Sequence, residues 1–323
     1  MGFARETLEG MAMKAEIIIA TYNSEKRIGR TLDSLCEMAK QTALKEGEWR
    51  IVVVNNNSTD KTKEIVQSYE DRLPLKVLDC TTPGKSKAQN MAVRNIKADL
   101  IIFSDDDVEV APDWMDKMVE CAAQNPDYSV FSGFIKGYWE KELDPDLSAW
   151  GVPVGSTYAL HDEDMVSGAC DPGKVWGPNM AMRKAIFDEG LNFDERIGPT
   201  PAKFYAMGEE TDLAKRAYAK GFKSYFNADA VVKHLVKKET ATEDWIIRRA
   251  ERLGYGIFAT GKQNYPRHMP DFVPVLLEIL VLFVIWACVY PLTFLMKRSK
   301  FRFWSRWKFY YFRGLLRGYK DFL

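Results

Sequence analysis

The sequence predicts an α/β fold with a mostly parallel central sheet, and three observations carry that expectation. Ile17-Ile18-Ile19 and Ile51-Val52-Val53-Val54 are apolar at every position, which marks strands covered on both faces. Strand-like and helix-like runs alternate through the first 133 residues, the pattern of parallel strands joined by crossover helices. Three polar clusters, Thr21-Tyr22-Asn23, Asn55-Asn56-Asn57 and Asp105-Asp106-Asp107, each follow directly on an apolar run, where sheets of this kind bind ligands.

Strands are expected at Glu16–Ala20, Arg50–Val54, Leu75–Leu78, Leu100–Ser104 and Ser129–Gly133, with helices near Ser24–Lys40, Asp60–Tyr69, Ser86–Ile96 and Pro112–Gln124. In the first helix Ile28, Leu32, Leu35 and Ala39 recur at helical spacing. Ser58-Thr59-Asp60 offers N-caps to the second. Residues 134–175 are rich in Gly, Pro, Trp and Asp without a period, the composition of a binding loop or lid. Trp176–Met182 reads as a short strand with a helix from Arg183. Gly208–Gly221 reads as a helix whose acidic first turn suits the helix dipole. Val231–His234 reads as a late strand and Glu243–Thr260 as a further helix.

At 323 residues the chain can bury one large core or two smaller ones. Lys plus Arg is 45 and Asp plus Glu is 45, so no global field pulls toward nucleic acid and no such partner is expected. Five scattered cysteines with no C-x-x-C pair argue against a zinc site or disulfide framework and fit a reducing compartment. No basic start followed by an apolar run marks a signal peptide, and residues 1–13 are expected to be disordered.

Phe272–Met296 is dominated by apolar residues and long enough to cross a bilayer, for which about 20 suffice, although Pro274, Glu278 and Pro291 interrupt it. Nine basic residues between Lys297 and Lys320 interleave with Phe, Trp and Tyr, a composition suited to a helix in the membrane interface against anionic lipid. Membrane association follows as an expectation. A single crossing conflicts with it, because the basic tail and the large domain both belong on the cytoplasmic side. A re-entrant or shallow helix, kinked at Pro291, removes the conflict.

The three consecutive carboxylates repel one another unless a cation sits among them. Clustered hard oxygen donors suit Mg²⁺ or Mn²⁺, shared with a bound phosphate. An acidic turn capping the next helix is the alternative for this motif alone.

Taken together, Ile17–Asn23 (IIIATYN), Val52–Thr62 (VVVNNNSTDKT), Gly84–Asn95, Phe103–Val108 (FSDDDV), Gly177–Arg183 (GPNMAMR) and Gly208–Arg216 (GEETDLAKR) resemble the family 2 glycosyltransferases over roughly residues 14–235. The resemblance implies a Rossmann-like glycosyltransferase A-type domain that moves a sugar, with inversion, from a nucleotide diphosphate donor to an acceptor hydroxyl. It implies that Thr21, Tyr22, Asn23, Asn55, Lys85, Asp105 and Asp106 hold the nucleotide sugar. Asn55 stands where the family usually has aspartate, which removes a charge but keeps hydrogen-bonding capacity. Asp105 and Asp107 form the DxD element, and His234 matches a late histidine that completes the metal site in some relatives. Glu210 is the implied base, where the family more often has aspartate, with Glu209 and Asp212 as supporting acids. Trp176, Asn179 and Arg183 fall in the segment that usually lines the sugar and acceptor pocket.

The implied cofactor is a divalent cation, Mn²⁺ or Mg²⁺, and the implied partners are a nucleotide sugar, with a UDP-sugar favoured, and a lipid-linked or glycan acceptor. The expected location is the cytoplasmic face of a membrane. The expected organisation is a catalytic domain at 14–240, a helical connection at 241–270, and a membrane-associated segment with a basic interfacial tail at 271–323. One apparent membrane segment is too few for the pore of a processive polysaccharide synthase. Three other readings compete. A P-loop around Gly84-Lys85-Ser86 lacks the first glycine, where Asp79 stands. A sugar-nucleotide pyrophosphorylase would carry a Gly-rich N-terminal loop, which IIIATYN is not. A membrane-tethered sugar-nucleotide-binding scaffold would have lost the acids that are present here.

Overall fold

The computed structural model describes residues 13–202, 204–260 and 269–322. The leader expected to be disordered lies outside the described residues except for Met13, and so does 261–268 of the expected helical connection. The strands are β1 Ala15–Thr21, β2 Trp49–Asn55, β3 Leu75–Asp79, β4 Leu100–Ser104, β5 Val108–Val110, β6 Tyr128–Trp139, β7 Gly168–Ala169, β8 Met180–Arg183 and β9 Lys223–Val236. The helices are α1 Ile28–Ala39, α2 Thr62–Gln67, α3 Lys85–Val93, α4 Trp114–Gln124, α5 Pro145–Ala149, α6 Val154–Tyr158, α7 Lys184–Asp188, α8 Glu209–Ala219, α9 Glu243–Thr260, α10 Met269–Leu292 and α11 Lys300–Phe322.

The chain forms two units. The first comprises residues 1–138, 159–195 and 210–235, and the second 139–158, 196–209 and 236–323. Segments 139–158 and 196–209, assigned from sequence to the catalytic stretch 14–240, therefore belong with the C-terminal helices. The reason is aromatic packing. The Tyr158 ring stacks on Trp245 at 5.6 Å and 4°, and Trp304 donates its indole N–H to the Trp150 carbonyl at 2.9 Å.

In the first unit the sheet order is β3-β2-β1-β4-β8-β6-β9-β5, with β7 on β9. Its first half is parallel, and from β4 onward the described pairings are antiparallel. Ile18 lies opposite Val52 and Phe103, and all three are buried in a cluster with Ala88 and Ala92 of α3 and Leu213 and Ala217 of α8. Ile17, Ile19, Ile51 and Val53 point to the other face and are also fully buried, as two-sided coverage of a parallel sheet requires. Glu16 is buried directly opposite Arg50, whose guanidinium donates twice to it at 2.8 and 2.9 Å, so the one acid within β1 has a charge partner.

Three local expectations need correction. The second helix begins at Thr62, and Asp60 accepts from the Thr62 N–H at 3.0 Å, so Asp60 alone of the three candidates serves its start. Residues 134–175 are not wholly irregular. β6 runs on to Trp139, and α5 and α6, of five residues each, are too short for a readable period. The strand expected from Trp176 begins at Met180, because Gly177–Asn179 makes a 3₁₀ turn.

His161 is a buried core histidine. Its Nδ1 accepts from the Ile135 N–H at 3.2 Å, its Nε2 donates to the Lys174 carbonyl at 3.1 Å, and its ring stacks on Trp176 at 4.7 Å. Burial lowers its pKa to about 4, whereas an unfolded histidine titrates near 6.5. The unfolded chain takes up a proton below that pH and the folded chain does not, so stability is full above about pH 6.5 and falls as pH drops toward 4. Urea unfolding at pH 7 and pH 5 should differ by about 2 kcal/mol more in the wild type than in His161→Gln. Equal differences would remove this role.

Candidate active site

The site lies beyond the carboxyl ends of β1, β2 and β4. Register sets Thr21 opposite Asn55, and Asn55 opposite Asp79. Thr21 donates its hydroxyl to Asp106 at 2.6 Å. Burial, and after it the neighbouring Asp107, raises the Asp106 carboxyl to about 6. Asn23 takes a left-handed backbone (φ 46°). Its N–H donates to Ser58 Oγ at 3.1 Å and its amide oxygen accepts from the Thr59 N–H at 2.8 Å, tying the end of β1 to the loop after β2. Tyr22 beside it is exposed.

The acidic motif joins β4, in the middle of the sheet, to β5, which pairs with β9. Val108 lies opposite His234, and the Leu235 N–H donates to the Asp107 carbonyl at 3.0 Å. This pairing carries His234 to the acids. One ligand atom each from Asp105, Asp107 and His234 lie within 4.8 Å of one another. Two carboxylates and an imidazole at that spacing fit a divalent cation, and the nitrogen donor suits Mn²⁺ better than Mg²⁺.

Lys85 joins these acids to Glu210. Asn56 clamps the preceding loop, donating to the Thr82 carbonyl at 2.8 Å and accepting from the Gly84 N–H at 2.8 Å. Gly84 has φ 133°, which a side chain would strain. Lys85 then opens α3 as a cation at the positive end of the helix dipole, a locally unfavourable position. Two carboxylates offset it: Nζ is 2.7 Å from Asp105 and 2.8 Å from Glu210. Glu210 is the second residue of α8, and Glu209 is buried at the first. Asp212 pairs with Arg216 one turn on, at 2.7 Å.

The other expected pocket residues have partners within the protein. Asn179 is wholly buried, accepting from Trp114 Nε1 at 2.8 Å and donating to the Phe134 and Ala230 carbonyls at 3.0 and 2.8 Å. Its amide therefore holds the sheet and α4 together. Arg183 lies opposite Leu100, at the end of β4 remote from the acids, and donates to the Tyr128 and Ala122 carbonyls at 2.7 and 2.6 Å. Trp176 stacks on His161.

Two residues near the site were not singled out from sequence. Asp79 accepts from Asn55 Nδ2 at 2.9 Å and pairs with Lys63 at 2.7 Å, which lowers its pKa. It supplies a carboxylate next to the amide that replaces the family's usual aspartate. Gly177 is the second. A Cβ there would sit 2.0 Å from Glu210 Oε1 and 3.0 Å from Lys85 Nζ. Its signal was the GPN motif, but the reason for glycine is a contact across 33 residues of chain. Gly177→Ala is expected to displace Glu210 and lower turnover about a hundredfold, the cost of an ångström-scale misplacement, with donor affinity nearly unchanged. Wild-type turnover in that variant would contradict the geometry.

A mixed α/β sheet with an acidic cluster beyond its parallel strands is the glycosyltransferase A-type architecture that the resemblance implied. The Glycosyl transferase family 2 profile matches residues 16–191, more than half the chain, and the chain belongs to that family. TarS of Staphylococcus aureus, a poly(ribitol-phosphate) beta-N-acetylglucosaminyltransferase, is 41% identical over 97 residues, 29% of this chain and 16% of TarS. The chain's match thus covers about a sixth of that relative's length. The solved structure of TarS 1-349 with UDP-GlcNAc aligns with TM-score 0.54 at 20% identity, covering 96% of this chain and 92% of that one. Mannosyltransferase PcManGT from Pyrobaculum calidifontis, in complex with GDP-Man and Mn²⁺, aligns with TM-score 0.62 at 19% identity, covering 96% and 88%. A glucosyl-dolichyl phosphate glucuronosyltransferase of Haloferax volcanii is 21% identical over 282 residues, 84% of this chain and 85% of that protein.

Proposed function

We propose that the chain transfers a sugar from a nucleotide diphosphate donor to an acceptor hydroxyl, with inversion and with a divalent cation. The observation that carries this reading is the single Lys85 ammonium bridging Asp105 of the cation cluster and Glu210. It holds the proposed base and a proposed cation ligand beside one another, as positioning both groups on one substrate needs.

Asp105, Asp107 and His234 would hold the cation, which would supply Lewis acidity toward a leaving diphosphate. The chain's own residues do the rest. Glu210 removes the acceptor proton, and Gly177 leaves room for its carboxylate. Lys85 offers a fixed positive charge to the phosphates. Thr21, Tyr22, Asn23 and Asn55 surround the base and ribose, and the Asp79 carboxylate accepts an imino N–H. Uracil, thymine and guanine carry such a donor and neutral cytosine does not, so CMP-sugars are disfavoured. A UDP-sugar remains the favoured donor, supported by the likeness to TarS with UDP-GlcNAc.

The acceptor is a hydroxyl of a lipid-linked molecule or a glycan in cell-surface polymer synthesis, at the cytoplasmic face of a membrane. The exposed apolar C-terminal helix and the Haloferax volcanii relative support a lipid carrier. The test is a thermal-shift screen against UDP-, GDP-, dTDP- and CMP-sugars with and without Mn²⁺. Stabilisation by one nucleotide class in the presence of metal is expected, and no shift with any of them in a folded protein would overturn the reading.

A further inference from the structure

We infer that α10 lies in the plane of a membrane surface, seated by one apolar face, and does not cross the bilayer. The inference deepens the membrane location proposed for the chain and is independent of its donor chemistry. Leu276–Leu295 has the length and hydropathy of a span, with a mean hydropathy of 2.2. Only 11% of that window is buried, so it is not a core helix.

The helix has two distinct faces. Ile279, Phe283, Trp286 and Tyr290 follow one another at steps of three or four and face α11. Ile279 packs with Leu315, Phe283 stacks on Phe309 at 5.7 Å, Lys308 lies over the Trp286 ring at 4.7 Å, and Tyr290 stacks on Phe309 at 4.3 Å. Ile279, midway along α10, meets Leu315 late in α11, and Tyr290 near the end of α10 meets Phe309 earlier in α11, so the two helices form an antiparallel hairpin. Leu277, Val281, Val284, Ile285, Leu292 and Leu295 form the exposed stripe, with Glu278 exposed at its start.

The other side of α11 decides between lying flat and crossing. It is locked to α9 at two glycines, where a Cβ on Gly254 would meet the Tyr311 carbonyl at 2.2 Å and one on Gly314 the Glu251 carbonyl at 2.0 Å. Arg306 pairs with Glu243 and Asp244 at 3.1 and 3.0 Å, and Arg313 donates to Glu251 at 2.9 Å. Arg298 pairs with Asp144, Asp146 and Glu243 at 3.1, 2.7 and 3.1 Å. Arg298, Arg306 and Arg313 of the basic tail thus pair with acids inside this unit. If α10 crossed, α11 and α9 with these charges would follow it into hydrocarbon, where each charged group is costly. Lying flat, α10 sinks its outer stripe roughly 5–10 Å into the headgroup boundary and leaves those charges in water.

Lipid is the occupant because the exposed window has the length and mean hydropathy, 2.2, of a membrane-contacting helix. Exposed Lys297 and Lys300 follow its end and suit anionic headgroups. The experiment uses the full chain with sealed vesicles of phosphatidylcholine, with and without phosphatidylglycerol. The wild type should float with the vesicles, more strongly with the anionic lipid. Val281→Glu/Val284→Glu should lower partition at least about tenfold while keeping the wild-type melting temperature, which reports folding whether or not the donor reading holds. A cysteine at Lys297, at the hairpin tip, in a Cys288→Ser background should react with an impermeant maleimide added outside. Protection of that cysteine in floated protein would mean that the hairpin crosses. Failure of the folded wild type to float, or its self-association through the stripe in sedimentation, would assign the face to a second copy. Either result overturns the inference.

Discussion

Glu210→Gln is expected to lower sugar transfer about a thousandfold, within the range that a positioned general base contributes. Glutamine keeps the shape and one acceptor oxygen but cannot take the proton of an acceptor hydroxyl. The substitution also removes the carboxylate 2.8 Å from Lys85 Nζ, while Asp105 at 2.7 Å still holds the ammonium. Donor binding should therefore persist, and the loss should appear in kcat. Steady-state kinetics alongside calorimetric donor titration separates the two quantities. Lost donor affinity with turnover intact would make Glu210 a structural partner of Lys85 and would leave the reaction without its base.

Asp107→Ala is expected to reduce turnover by a similar factor through the cation, since charge stabilisation on a leaving diphosphate is worth several kcal/mol. Asp107 and His234 meet because β5 and β9 are paired at Val108 and His234, so the substitution removes a donor without disturbing the backbone that positions the other two. Donor affinity should fall with activity, unlike in Glu210→Gln, and added Mn²⁺ should restore little. His234→Ala should raise the Mn²⁺ concentration needed for half-maximal activity while keeping activity at saturating metal. An Asp107→Ala enzyme with unchanged Mn²⁺ dependence would assign the cation elsewhere.

Much of this arrangement was legible before any coordinates. β1, β2 and β4 announced themselves because burial on both faces demands uninterrupted Ile, Val and Phe, and strand polarity then sends Thr21, Asn55 and Asp105 to one edge. The antiparallel pairing that brings His234 to Asp107 was not legible, because β5 is three residues long. The surroundings of Asn179 and Arg183 were not legible from their motif. A 3₁₀ turn buries one, and a strand carries the other to the far end of β4. Gly177 and Asp79 escaped for the opposite reason, since their importance lies in contacts with Glu210 and Asn55 that only folding creates. The split between units was hidden as well. The segment 139–158 has no periodic helix long enough to read, and its membership rests on single aromatic contacts such as Tyr158 on Trp245.

The measurement that tests the account most directly is release of nucleoside diphosphate from a nucleotide sugar by the purified full chain, followed with Mn²⁺ and again with excess EDTA. The account predicts release with Mn²⁺, none in EDTA, and recovery when metal is returned. Release that continues unchanged in EDTA would contradict the role given to Asp105, Asp107 and His234. So would the absence of release from UDP-, GDP- and dTDP-sugars alike by a folded protein.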